Sequence, residues 1–201
     1  MQRSNAGKMG RPRAFDEGAA LDAAMRVFWE KGYEGTSLDD LTAAMGINRS
    51  SLYSAFGDKE ALFRRVMVHY GEGPMSYFRE ALDLPDIRAV IEALFRGTVD
   101  FLGDPEHPRG CLSLQGGLAC GTGIESVKQA MLEWRNDALV AIQKRMRQAK
   151  LDGELPSDVD PKDLARYVLL VMNGLGVQAA SGATRSEMKR AIDLALRTLP
   201  V

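Results

Sequence analysis

The stretch Gly46-Ile47-Asn48-Arg49-Ser50-Ser51-Leu52-Tyr53-Ser54-Ala55-Phe56-Gly57-Asp58-Lys59 carries the reading of the fold. Leu52 and Phe56 stand at i and i+4 on one helix face, and Asn48 supplies N-cap chemistry just ahead of them. Gly57-Asp58 breaks that helix and caps the next, which starts at Lys59 and turns Leu62, Phe63 and Val66 inward. Upstream, Thr36-Ser37 caps a short helix whose apolar face is Leu38, Leu41 and Met45, closed by Gly46. Two short helices joined by the turn Gly46-Ile47-Asn48 follow the helix-turn-helix plan, whose second helix enters the major groove of DNA. With Leu52 and Phe56 facing in, the outward residues are Arg49, Ser50, Ser51, Tyr53 and Ser54, none of them acidic. Small hydroxyls, a guanidinium and a phenol suit contact with phosphates and base edges. Lys59 adds charge to helix N-terminal amides that already favour an anion, and Thr36 and Ser37 hold the same place on the preceding helix. The same spacing also serves plain helical packing.

Helical periodicity continues on both sides. Leu21, Ala24, Met25 and Phe28 fall at i, i+3, i+4 and i+7, with Gly32 as a stop. Gly71, Gly73 and Pro74 interrupt the run after Val66 and mark a bend or boundary. Beyond them the pattern predicts helices over about 87–102, within 111–119, and over about 126–150, 160–181 and 186–199. The last shows a stripe of Met188, Ile192, Ala195 and Leu199. No alternation long enough for a strand is found, so the fold class is all-α with about nine helices.

Composition narrows the function classes. The 201 residues are 45% apolar and 26% charged, which fits a globular chain and excludes disordered or collagen-like ones. A net charge of −1 means that any nucleic-acid site depends on local placement of charge. Two cysteines do not make a disulfide framework and suit a reducing cytoplasm. Residues 1–10 lack the apolar segment of a secretory signal, and the uncharged run 167–184 is too short and too polar for a membrane span. Only His69 and His107 are present, with no H-E-x-x-H, G-x-S-x-G or P-loop pattern, so no enzyme is expected.

The run from Phe28 to Leu62 closely resembles the tetracycline-repressor (TetR) family of bacterial regulators. Phe28-x-x-x-Gly32-Tyr33, Thr36-Ser37, the glycine-bounded turn, Leu52-Tyr53-x-x-Phe56 and Lys59-Glu60-x-Leu62 are all in place. The resemblance covers about 15–65 and is specific there; the remainder agrees only in helical layout. It implies a helix-turn-helix domain over 15–65, preceded by a flexible basic arm over 1–14 and followed by a ligand-binding and dimerisation domain over 66–201. It also implies a homodimer on double-stranded, palindromic operator DNA, most often repressing and released by a small-molecule effector. Arg49, Ser50, Ser51 and Ser54 would then face bases or phosphates, and Thr36, Ser37, Tyr53 and Lys59 would hold phosphates. Ser54 departs from the histidine or larger polar group of many members, which bears on base preference there. Arg13, in Gly10-Arg11-Pro12-Arg13, would reach a phosphate or an adjacent minor groove.

The C-terminal half is less explicit. Candidate ligand-lining residues are Tyr70, Tyr77, Phe78, Phe95, Cys111, Gln115, Trp134 and Met172, and their apolar character points to a largely apolar effector. Each is equally compatible with solid core. Cys111 and Cys120 admit a thiol- or metal-sensing alternative, although with His107 their spacing fits no zinc pattern, so no metal or cofactor is expected. Gly116-Gly117 and Gly121-Thr122-Gly123 follow no strand, and they read as helix ends and loop. The helices near 161–181 and 186–199 are expected to form the dimer interface. A helical small-molecule-binding protein without DNA affinity is the competing class.

Overall fold

In a computed structural model the described residues are 15–114 and 125–200. Among them the secondary structure is helical, with no strand. Helix α1 (Glu17–Gly35) is capped by the Asp16 carboxylate, and its regular geometry breaks at Gly32, where φ is 69° and ψ 173°. That left-handed φ explains the glycine, because a Cβ is strained there. Helices α2 (Leu38–Met45) and α3 (Arg49–Phe56) follow, joined through Gly46 in the left-handed conformation. Helix α4 (Lys59–Glu72) is capped by Asp58 and ends at Gly73.

Helix α5 (Ser76–Leu82) lies directly after the Gly73-Pro74 break, where the sequence pattern had indicated no helix. Its N-cap position is Met75, which makes no side-chain cap bond, so the usual start signal is missing. Helices α6 (Ile87–Leu102), α7 (Glu125–Leu151), α8 (Pro161–Ala180) and α9 (Arg185–Arg197) complete the described helices, with a helical turn at 112–114. The helices α6 to α9 match the expected spans to within two residues, and of the short helix expected within 111–119 the positions from 115 on lie outside the described residues. The arm 1–14, Arg13, Gln115, Cys120 and the glycine pairs at 116–117 and 121–123 lie outside the described residues.

Two apolar cores organise the chain. The first packs α1 to α4 around Phe28, Trp29, Leu41, Leu52 and Phe63, and it extends to Phe101, Leu112, Val127 and Met131 from later elements. Phe28 and Tyr33 set their rings at about 70–76° against Phe63, at 5.0 and 5.1 Å, an edge-on arrangement that adds to their area burial. The second core lies between α6, α7, α8 and α9. It contains Met188, Ile192 and Leu199, which are at most 8% exposed. This corrects the expectation that their stripe faces a partner: it is the inward face of α9 within one subunit. The exposed apolar side chains of these two helices are instead Tyr167, Leu170 and Val177 on α8 and Leu194 on α9.

Candidate nucleic-acid interface and cavity

The turn between α2 and α3 is built by capping. Ser37 Oγ accepts from the Asp40 amide at 3.0 Å, while the Asp40 carboxylate accepts from the Ser37 amide at 2.9 Å, a reciprocal box that starts α2. Asp40 also accepts from Lys31 Nζ at 2.5 Å, and these bonds hold its carboxyl well below the ordinary range. Asn48 Oδ1 accepts from the Ser51 amide at 2.8 Å and from the Ser50 hydroxyl at 2.7 Å, starting α3. Leu52 and Phe56 are buried, with α3 packed on α4 and α2, which leaves Arg49, Ser50, Tyr53 and Ser54 exposed and Ser51 half-buried.

The exposed face of α3 therefore carries the polar set that the sequence indicated. Arg49 donates to Asp39 Oδ1 of α2 through Nη2 at 2.8 Å and Nε at 3.3 Å. Asp39 was not anticipated; its signal is position, since the first turn of α2 faces the first turn of α3 across the short link. Lys59 sits at the start of α4 with its ammonium 4.4 Å from the centre of the Tyr33 ring, and burial lowers its pKa. Thr36 departs from expectation. It is 1% exposed and its hydroxyl donates to the Gly32 carbonyl at 2.6 Å, so it fixes the bend after α1 and presents no side chain outward.

Behind this unit lies a cavity of about 580 Å³, walled by α4, α5, α6, α7, α8 and the segment 111–114. Of the candidate residues, Tyr77, Phe78, Cys111, Trp134 and Met172 lie in its lining, together with Phe63, Thr98, Phe101, Arg135 and Asn173. Tyr70 and Phe95 are fully buried and are not part of the lining. Tyr70 stands behind the wall, 3.2 Å from Cys111 Sγ, and Phe95 belongs to the second core. Burial pushes the Tyr77 phenol well above its ordinary pKa against the opposing effect of its bond to Thr98, at 3.1 Å. Burial and then Cys111 do the same to Tyr70, so both phenols are neutral at pH 7. Cys111 Sγ also lies 3.0 Å from Ser113 Oγ. Among the described residues no group of three His, Cys, Asp or Glu side chains can hold a metal ion. Arg135 escaped the sequence reading, yet it had a signal: it falls on the face of Met131 and Ala138, a charge at an apolar position.

Two connections join the cavity to the helix-turn-helix unit. Helix α4 carries Lys59 at one end and lines the cavity with Phe63 and Met67 further along. Separately, Trp29 Nε1 of α1 donates to the Gly110 carbonyl at 3.0 Å, and Arg26 donates to the Glu106 carbonyl at 2.8 Å. The loop that ends at Cys111 is thereby fixed to α1. No helix among the described residues is long and apolar enough to cross a membrane.

A family model described as bacterial regulatory proteins, tetR family, matches residues 20–66, and one described as tetracyclin repressor-like, C-terminal domain, matches residues 88–195. The chain is 32% identical to the HTH-type transcriptional regulator YezE of Bacillus subtilis, over 95% of this chain and 100% of that one. It is 28% identical to the HTH-type transcriptional repressor ComR of Escherichia coli, over 95% and 92% respectively. Among solved structures it is similar to the TetR family regulator CifR, in a cysteine-substituted form complexed with a 26-base-pair double-stranded operator. That match has a TM-score of 0.89 and 41% identity, and it covers 94% of this chain and 100% of that chain.

Proposed function

The chain is a DNA-binding transcriptional regulator of the TetR family, and from that premise we propose that it represses by binding a palindromic operator as a homodimer and is released by a small-molecule effector. In this reading residues 15–65 recognise DNA, residues 66–201 bind the effector and the second subunit, and the arm at 1–14 adds a phosphate or minor-groove contact through Arg13. The observation that carries it is the exposed, acid-free face of α3, with Arg49, Ser50, Tyr53 and Ser54 outward and Lys59 at the adjacent helix start. Ser37 and Ser51 flank that face: the Ser37 hydroxyl is oriented by its capping bonds, and the Ser51 amide is held by Asn48 Oδ1.

The cavity supplies the other half. Its volume lies within the usual 300–1,000 Å³ range of small-molecule sites. Helix α4 belongs to both sites, which is the physical requirement for coupling: a ligand that displaces it changes the separation of the two recognition helices. Half-sites one turn apart demand roughly 34–36 Å between those helices, so a shift of a few ångströms breaks simultaneous docking.

An electrophoretic shift on DNA flanking the protein's own gene tests the reading. A discrete, competitor-resistant complex is expected, and Tyr53→Ala, which removes an exposed side chain, should weaken it while thermal unfolding stays unchanged. Weak, sequence-blind binding by the unaltered protein would favour a helical binding protein without operator specificity.

A further inference from the structure

We propose that the cavity takes a ligand with an apolar body and one carboxylate, and that Arg135 of α7 holds the carboxylate. This rests on the reading of the cavity as an effector site. Charged side chains in the cavity lining are Arg64, Glu72, Arg79, Glu133, Arg135 and Asp137. Five of these are exposed to solvent; Arg135 alone is half-buried.

Its surroundings do not balance its charge. Every Asp and Glu of the chain lies within the described residues. The arginine ion pairs among those residues engage Arg49, Arg64, Arg65, Arg96, Arg145 and Arg185, and Arg135 is not one of them. Its sequence neighbours Glu133 and Asp137 also line the cavity, but two positions away along the helix they do not face Arg135, and neither forms an ion pair with it. Among the described residues its hydrogen bond is Nη1 to the Ser113 carbonyl, at 3.4 Å, a long and neutral contact. A guanidinium partly withdrawn from water gains from an anion, and its planar fork matches a carboxylate with two parallel bonds.

The rest of the lining describes the remainder of the ligand. Trp134, the residue before Arg135, lines the cavity with Phe101, Tyr77 and Met172, surfaces for an aromatic or aliphatic body. Asn173, half-buried on α8, adds an amide to the lining. A purely apolar effector leaves Arg135 without a counterion. A cationic effector meets the rim carboxylates first and then a repelling guanidinium.

The test uses the full-length protein and phenylalkanoates of increasing chain length, each paired with its amide and its alcohol. Binding is read by calorimetry, without DNA, and by tryptophan fluorescence in a Trp29→Phe background that leaves Trp134 as the emitter. The expected result is that at least one acid binds about tenfold or more tightly than its own amide, as a charge-assisted pair warrants. Arg135→Gln should erase that preference while the amide affinity stays the same, and Arg135→Lys should restore part of it. Equal affinity for acid and amide, a preference for phenylalkylamines, or no binding by any member overturns the proposal. Since the operator shift is measured without ligand, a protein that shifts DNA yet shows no acid preference loses only this inference.

Discussion

Arg49 is paired in the free protein, yet the pair is weak enough to give way. Its side chain and that of Asp39 are 59% and 78% exposed, and such surface pairs contribute about 0–1 kcal/mol. A bidentate contact from arginine to a guanine edge is worth about 1–3 kcal/mol of discrimination, so in the role proposed for Arg49 DNA would win the guanidinium from Asp39. Asp39 holds Arg49 in the free protein, and on the proposed DNA contact it would compete for it and place a negative charge beside approaching phosphates. Asp39→Asn is therefore expected to tighten operator binding by up to about fivefold, with stability changed by no more than about 0.5 kcal/mol. Arg49→Ala should weaken binding by roughly 5–150-fold and remove the effect of the Asp39 change in the double variant. Fluorescence anisotropy on the operator measures both, and additive effects in the double variant would show that the two residues do not share a contact. The role proposed for Lys59 is different, that of a point charge against the DNA backbone. Lys59→Ala should reduce the salt slope of log affinity by about one unit, on specific and non-specific DNA alike.

At the scale of elements, α5 and α6 shape the cavity through one missing side chain. A Cβ on Gly97 would lie 2.3 Å from Cδ2 and 2.9 Å from Cγ of Tyr77, and Tyr77 bonds Thr98 one residue further along α6. Gly97→Ala must push the ring away and break that bond. Overpacking of this kind costs about 1–3 kcal/mol, against a helix-propensity gain of about 1 kcal/mol. A lowered Tm and altered ligand affinity are expected; a raised Tm with unchanged affinity would mean that the ring relaxes without cost. This contact also shows where sequence reasoning stops. Helix positions with a cap and an apolar period were readable, as Asp86 ahead of α6 and Asp160 ahead of α8 illustrate. Helix α5, seven residues without a capping side chain, was not. The exposed face of α3 was legible because Leu52 and Phe56 fix its rotation. Thr36 was misjudged because a threonine before a helix cap looks the same in sequence whether its hydroxyl faces out or back to Gly32. Cavity residues were harder still: Tyr70, Phe95 and Tyr77 share one chemistry, and only the long-range packing of α4 to α8 separates core from lining.

At the scale of the molecule, the question is which surface joins two subunits. Periodicity in α9 identified an apolar stripe and could not say what covers it; Ile192, 1% exposed, is covered by its own chain. On α8, Tyr167, Leu170, Gly174 and Val177 recur at i, i+3, i+7 and i+10 and remain exposed, with Leu170 64% and Val177 48% accessible. An added Cβ on Gly174 would meet nothing within 4 Å in the subunit, so the glycine leaves room for a close approach from outside. Leu194 of α9 is also exposed, at 60%, and α8 and α9 pack together. An exposed apolar face suits an isologous interface, and two copies of α8 with α9 can bury it as a bundle. Two substitutions separate this face from the core. Leu170→Asp places a charge in the proposed interface twice, once from each subunit, and disturbs no buried residue of the free chain. It should give a folded monomer by light scattering and circular dichroism, with operator affinity reduced to the level of non-specific DNA, because a single recognition helix reads only one half-site. Ile192→Asp buries an unpaired carboxylate within the subunit and should lower Tm sharply instead. If Leu170→Asp remained dimeric with full operator affinity, the α8 face would not be the interface, and the exposed Leu132 and Val140 of α7 would be the next surface to charge.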